Sequence, residues 1–139
     1  MDNTIAERLQ ILETLNRYAW SYDTRDLDLM RDCFAENGSF EIVLDGQDGW
    51  GPYQGRETIV EWLASIMESQ TDQRRHCVTN LVFRELVKES AKVDSYLVLT
   101  AVENNALNVI CTGTYHDSLI IEKDRWVIQS KILNLDNPF

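Results

Sequence analysis

The sequence of 139 residues has ordinary globular composition, and its length is typical of a single domain, here expected over residues 1–139. A formal net charge of -10 disfavours nucleic acid and an anionic membrane surface as partners. The chain does not begin with a basic segment and an apolar run, and it contains no apolar stretch long enough to span a bilayer. We therefore expect a cytoplasmic protein.

Two helices are predicted at the start of the chain. From Thr4 to Tyr22, apolar residues recur at helical spacing and form one wide stripe that a protein core would cover. The segment Asp23 to Asp26 has the pattern of an N-cap followed by an acidic first turn, which predicts a second helix. Asn37-Gly38 is expected to end that helix.

A short strand, a loop and a third helix are predicted next. The segment Phe40 to Leu44 alternates in the way typical of a strand. The segment Asp45 to Gly55 contains four glycines and a proline, which favours a loop, and we interpret it as a flexible flap that carries Trp50 and Tyr53 over a pocket. Helical periodicity resumes near Arg56.

The rest of the chain is rich in β-branched and aromatic residues and predicts four long strands joined by hairpins. Helices followed by an antiparallel meander indicate an α+β fold, in which the helices close one end of a curved sheet around a pocket. Several strands are apolar on both faces, so we expect a homodimer or homotrimer that covers the outer face. The strands are predicted at Arg74 to Val87, Lys92 to Val102, Asn108 to Ile121, and Arg125 to Leu133.

Asp23 is the first candidate for chemistry. It follows Ile5 by eighteen residues, or five helical turns, which returns it to the middle of the buried stripe if the first helix extends that far. A carboxylate that faces an apolar interior is costly unless it is paired. The alternative is that Asp23 caps the second helix.

Both histidines of the sequence lie in predicted strands. His76 opens the first long strand, and Asn80 on the same side makes this face more polar than a pure core. A histidine in a strand is also common as a hydrogen-bonded structural residue. His116 follows Tyr115, and because strand neighbours point to opposite faces, only one of the two can enter the pocket.

The three cysteines do not form a metal or disulfide pattern. Cys33, Cys77 and Cys111 are far apart and lack the paired spacings that bind zinc, so we interpret them as buried thiols in a reducing compartment. With two histidines in the chain, no metal site is predicted.

The order of elements, the segment Ser21 to Asp28 and the pair Arg75-His76 resemble the SnoaL-like branch of the nuclear transport factor 2 superfamily. The resemblance is closest to scytalone dehydratase and the hexachlorocyclohexane dehydrochlorinase group. It covers nearly the whole chain.

The resemblance implies a cone-shaped pocket in which Asp23 and His76 form a catalytic dyad and no cofactor is required. Tyr22 matches a family tyrosine that would donate a hydrogen bond to a carbonyl or leaving group. The implied protein is a lyase or isomerase acting on a small, apolar, cyclic or aromatic molecule. Substrate contacts are expected from Tyr18, Trp50, Tyr53, Asn80, Tyr115 and Lys131.

Two alternatives stay open at this stage. Lys131 lies near a basic position of many relatives, and it would either meet an anionic leaving group or remain solvated. The protein as a whole could instead be a non-catalytic member that binds a hydrophobic ligand or serves as an assembly subunit, as the small subunits of ring-hydroxylating dioxygenases do.

Overall fold

The computed structural model describes residues 4–45 and 47–138. In this part of the chain, two helices precede two strands, and a third helix precedes four more strands. None of these helices has the length and apolar character that a membrane span requires. The elements are α1 Thr4–Thr24, α2 Leu27–Cys33, β1 Phe34–Leu44, β2 Gln47–Gln54, α3 Arg56–Glu68, β3 Gln73–Val87, β4 Ser90–Glu103, β5 Ala106–Glu122 and β6 Arg125–Leu135.

The six strands form one sheet in the order β2-β1-β6-β5-β4-β3. Strands β3 to β6 form the predicted antiparallel meander. Strand β1 pairs with β6 in the parallel sense, on the edge of β6 opposite to β5. The helices cover one face, with α1 against β3 and β6 and α3 against β1. The α+β prediction is confirmed.

Buried and exposed side chains alternate along the strands, and the buried ones lie on the face of the sheet that the helices cover. In β5, Tyr115 is 1 % exposed and points into the core, whereas the side chain of His116 is 43 % exposed on the outer face. This settles which of these neighbours lies inside. Large apolar side chains such as Val82, Tyr96 and Val102 are exposed on the outer face, and the oligomer expected there stays a prediction.

The junction between the first two helices differs from the sequence prediction. Asp26, and not Asp23, caps α2, since its carboxylate accepts a backbone N–H from the first turn at 3.0 Å. Asp23 is instead part of the last turn of α1. The helix α2 ends at Cys33, so the predicted end at Asn37-Gly38 is wrong and lies within β1.

The glycine-rich segment predicted as a loop is strand β2, which pairs antiparallel with β1 through an irregular register. A Cβ atom on Gly49 would lie 2.0 Å from the Ile42 carbonyl oxygen, so glycine is needed where the two backbones approach. The glycines that suggested a loop therefore allow two strands to pair closely.

Trp50 and Tyr53 therefore lie on a strand and not on the predicted flap. Trp50 is 37 % exposed in β2, and Tyr53 stacks on Trp62 with ring centroids 4.1 Å apart. Neither Trp50 nor Tyr53 lines the cavity between the helices and the sheet. Their predicted contact with a substrate is not supported by this arrangement.

A bulge in β3 explains why the prediction for Asn80 is wrong. The pairing with β4 shifts between Thr79 and Val82, and Asn80 has a positive φ of 57°. Beyond the bulge, Leu81 and Phe83 pack against the core, while Asn80 is exposed. The alternation of side chains between the two faces of a strand is broken where a bulge inserts an extra residue.

The cysteines are not all buried, as the sequence had suggested. Cys33 and Cys111 are buried, but Cys77 is exposed on the outer face of β3. Burial raises the pKa of the Cys33 thiol to about 12 and also raises the pKa of Cys111. The exposed thiol is therefore the most reactive of the three.

We expect iodoacetamide to modify Cys77 in the folded protein and to spare Cys33 and Cys111, because alkylation needs an accessible thiolate. Peptide mass spectrometry after a short incubation near neutral pH locates the label. Cys77→Ser should abolish labelling of the folded chain, and a denaturant should restore labelling at the other two positions. Rapid labelling of Cys33 in the folded protein would contradict the fold.

Candidate functional site

Asp23 and His76 are in direct contact where the end of α1 packs on β3. Oδ1 of Asp23 lies 2.6 Å from Nδ1 of His76, and Oδ2 accepts the backbone N–H of His76 at 2.8 Å. Each side chain is only 8 % exposed. Both carboxylate oxygens thus bind one residue and fix the orientation of its ring.

This contact determines which imidazole nitrogen can act as a base. An ionised carboxylate only accepts hydrogen bonds, so Nδ1 of His76 carries the proton and Nε2 of the neutral ring keeps its lone pair. Nε2 has no hydrogen-bond partner among residues 4–45 and 47–138. The dyad can therefore accept a proton at Nε2, and Asp23 stabilises the resulting imidazolium.

His76 lines a small cavity between α1, α3 and the inner face of the sheet, with a volume of about 40 Å³. That volume suits roughly three water molecules, so a ring-sized ligand requires the walls to move. Leucine, isoleucine and phenylalanine side chains form most of the wall. The residues that add polar groups are Tyr18, Tyr22, Arg74, His76, Cys111 and Tyr115.

Tyr22 lies beside the dyad, with its ring centroid 4.6 Å from that of His76. Its hydroxyl donates to Oε1 of Gln70 at 2.7 Å. Burial raises the pKa of Tyr22, although Arg74 opposes the shift, so the phenol keeps its proton at neutral pH. Tyr22 must exchange Gln70 for a ligand before it can donate to that ligand.

The connection after α3 is tied to the turn between α1 and α2. Arg25, which has a φ of 58°, donates to the carbonyl oxygen of Met67 at 3.0 Å and to that of Gln70. Together with the hydrogen bond from Tyr22 to Gln70, these contacts hold the end of α3 against the end of α1 beside His76.

Lys131 is buried, not solvated, and it lies next to the cavity wall. Its Nζ is 2.9 Å from Oδ1 of Asp117 and stands over the rings of Tyr115 and Tyr18, at 3.9 and 4.6 Å from their centroids. Burial raises the pKa of Asp117, against the lowering effect of Lys131. Tyr18 and Tyr115, which were predicted to contact a substrate, line the cavity, and Lys131 packs behind them.

Arg74 was not among the residues predicted for the site. It precedes His76 by two positions in β3 and lines the same cavity. The alternation that placed His76 inward also applies to Arg74, so the signal was present in the sequence. A charged side chain at an inward position is rare enough to be overlooked.

No cluster of three or more metal-ligating residues occurs in the part of the chain that the structure describes. A surface groove of about 340 Å³ lies between α1, α2 and the start of β6 and does not contain the dyad. His76 lies instead at the small cavity between the helices and the sheet.

Three helices packed over this six-stranded sheet, with a cavity between the layers, define the nuclear transport factor 2-like, or cystatin-like, fold. Within this fold the chain belongs to the SnoaL-like domain family, whose sequence profile matches residues 3–131. No curated protein matches the chain.

Solved structures agree with the fold. A protein of unknown function from Mycobacterium tuberculosis is 26 % identical, with a TM-score of 0.82 over 99 % of this chain and 76 % of that chain. A protein of unknown function with a cystatin-like fold from Nostoc punctiforme is 22 % identical, with a TM-score of 0.83 over 100 % and 98 % of the two chains.

A third similar structure is the β subunit of a putative aromatic-ring-hydroxylating dioxygenase from Novosphingobium aromaticivorans. It is 12 % identical, with a TM-score of 0.78 over 97 % of this chain and 94 % of that chain. At this identity the likeness shows the fold alone.

The buried ion pair behind the cavity predicts a large stability effect. Lys131→Met should lower the free energy of unfolding by about 3–5 kcal/mol, because Asp117 is left as an unpaired buried carboxylate. Since burial already raises the pKa of Asp117 in the folded state, its contribution to stability is greatest at acid pH and is lost as the pH rises. Urea unfolding should show a larger loss for the variant at neutral than at acid pH.

Lys92→Met is the matched control, because the Lys92 side chain is 65 % exposed and its pair with Glu85 is long, at 3.9 Å. We expect this change to cost less than about 1 kcal/mol. Adding Asp117→Leu to Lys131→Met should recover much of the loss. Equal, small losses for both lysine variants would contradict the buried pair.

Proposed function

We propose that the protein is a cofactor-independent lyase or isomerase that acts on a small, largely apolar, cyclic or aromatic molecule. The observation that carries this proposal is the 2.6 Å contact between Asp23 and His76 beside a mainly apolar cavity. The resemblance to scytalone dehydratase and the dehydrochlorinase group supports the same reaction class.

In the proposed reaction, Nε2 of His76 removes a proton from a substrate carbon, and Asp23 stabilises the imidazolium that forms. The electron pair of the broken C–H bond then forms a double bond as a hydroxide or halide leaves the adjacent carbon. In the isomerase version, the imidazolium returns the proton to another carbon. A position-fixed base of this kind contributes about 10²–10⁴ in rate.

The second histidine provides an internal comparison. His116 also contacts a carboxylate, since its Nδ1 lies 2.7 Å from Oδ1 of Asp94. Burial of Asp94 raises its pKa, but hydrogen bonds from Arg84 and His116 outweigh that effect, and the net pKa is lowered. This pair lies on the exposed outer face, where a substrate would not be shielded from water.

The competing proposal is a non-catalytic protein that binds an apolar ligand in the same cavity. The fold of the dioxygenase β subunit is compatible with that role. A base with an unengaged nitrogen is not needed for apolar binding, and for this reason we favour catalysis.

A general test uses 5-nitrobenzisoxazole, a small aromatic compound that loses a ring proton to a base as its N–O bond breaks and a coloured phenolate forms. We expect the protein to accelerate this elimination beyond the rate with free imidazole. His76→Gln should lower kcat/KM by about 10²–10⁴. Asp23→Asn should lower it by a comparable factor, because the ring Nδ1–H and the backbone N–H of His76 both need an acceptor and an amide offers only one. An amide N–H that faces Nδ1 would place the ring proton on Nε2 and remove the base.

His116→Gln is the matched control and should leave the rate unchanged, since it removes a histidine paired with a carboxylate outside the cavity. Thermal unfolding confirms that each variant is folded. A rate equal to that of free imidazole, or one that survives His76→Gln, would favour the binding protein over the enzyme.

A further inference from the structure

Arg74 places a positive charge in the cavity wall next to the proposed base. Its side chain is 13 % exposed, and its neighbour Asp72 is 14 % exposed. Arg74 lines the cavity together with His76. Tyr22 and Cys111 line the same cavity, and the charge of Arg74 opposes the rise in the pKa of both groups.

Most of the guanidinium remains available to a ligand. Nε of Arg74 donates to Oδ1 of Asp72 at 3.0 Å. The two terminal nitrogens have no hydrogen-bond partner among residues 4–45 and 47–138. Asp72 offsets part of the positive charge but leaves the forked end of the side chain, which suits carboxylate and phenolate oxygens, open.

Arg74 and His76 lie two residues apart on the same face of β3. Alternate residues on the same face of a strand are roughly 7 Å apart. The pairing of β3 with β4 is regular from Gln73 to Thr79, so Arg74 and His76 obey this spacing. Both side chains therefore leave β3 on the side that faces the cavity, where one small ligand can contact both.

We propose that Arg74 binds a negatively charged oxygen of the substrate, so that the substrate class is a small ring bearing an oxyanion or a carbonyl that becomes one. The inference rests on the proposed function in using the same cavity. When His76 takes a proton from carbon, the C–H electron pair moves onto the neighbouring carbonyl oxygen and forms an enolate. Arg74 stabilises that enolate until its electron pair expels the leaving group or a carbon regains the proton.

The contacts of Arg74 differ from those of an arginine that ties two segments together. Arg25, for comparison, has both terminal nitrogens bound to carbonyl oxygens, those of Met67 and Gln70. Arg74 instead lines the cavity with those groups free of protein partners in the described chain. A cationic fork that faces a mainly apolar cavity and has no protein acceptor favours a ligand that supplies an oxygen.

The test compares 4-nitrophenol with its neutral methyl ether, 4-nitroanisole, as ligands. The phenolate absorbs visible light and the phenol does not, so the ionised fraction of bound ligand can be read directly. We expect the protein to bind the phenolate and to increase its visible absorbance at a pH below the probe's own ionisation midpoint. Arg74→Met should weaken phenolate binding about tenfold to a hundredfold and leave 4-nitroanisole binding unchanged.

Arg75→Met is the matched control, because it removes the same charge from the adjacent, exposed position. It should leave phenolate binding unchanged. Since Arg74→Met leaves the mostly buried Asp72 unpaired, the double variant Arg74→Met with Asp72→Asn provides a folded alternative, and it should lack phenolate selectivity as well. Arg74→Lys should retain part of the selectivity for the phenolate.

Repeating the titration in His76→Gln separates this inference from the proposed function. Phenolate selectivity that persists in His76→Gln but disappears in Arg74→Met supports the anion site even if no proton transfer occurs. Equal weakening by Arg74→Met and Arg75→Met, equal loss of both ligands in Arg74→Met, or no binding of the phenolate by the unmodified protein would overturn the proposal.

Discussion

The double hydrogen bond between Asp23 and His76 is the interaction on which the site depends. A buried carboxylate is costly unless its oxygens are bonded, and here one oxygen binds the imidazole and the other binds the backbone of the same residue. The contact therefore joins the end of α1 to β3 as well as fixing the ring. Packing and chemistry are coupled at this point, because a shift of the helix would also turn Nε2 of His76.

A second buried pair supports the site without entering it. Lys131 and Asp117 lie behind the rings of Tyr18 and Tyr115, and the ammonium stands over both rings. This arrangement fixes the tyrosine side of the cavity, while the Arg25 contacts fix the side formed by the end of α3. Polar contacts thus lie on two sides of the small cavity, and the Arg25 contacts are the more exposed of the two sets.

Sequence periodicity predicted α1, α3 and the four-stranded meander because long elements repeat their pattern many times. It placed Asp23 on the buried stripe only if α1 extended that far, with capping of α2 as the alternative, and contact with His76 was implied only by the family resemblance. It failed where one residue changes the geometry. Asn80 sits in a bulge that alternation cannot detect, and Gly49 is needed for a close strand pair that resembles a loop in sequence.

The state of His76 tests the account most directly. Nitrogen-15 NMR of the imidazole near neutral pH distinguishes the two neutral tautomers, because protonated and unprotonated ring nitrogens have well-separated shifts. The account predicts a proton on Nδ1, slow to exchange with water because it lies against Asp23, and an unprotonated Nε2. A proton resident on Nε2, or a ring N–H proton of His76 that exchanges with water as fast as the ring N–H proton of His116, would contradict the Asp23–His76 base.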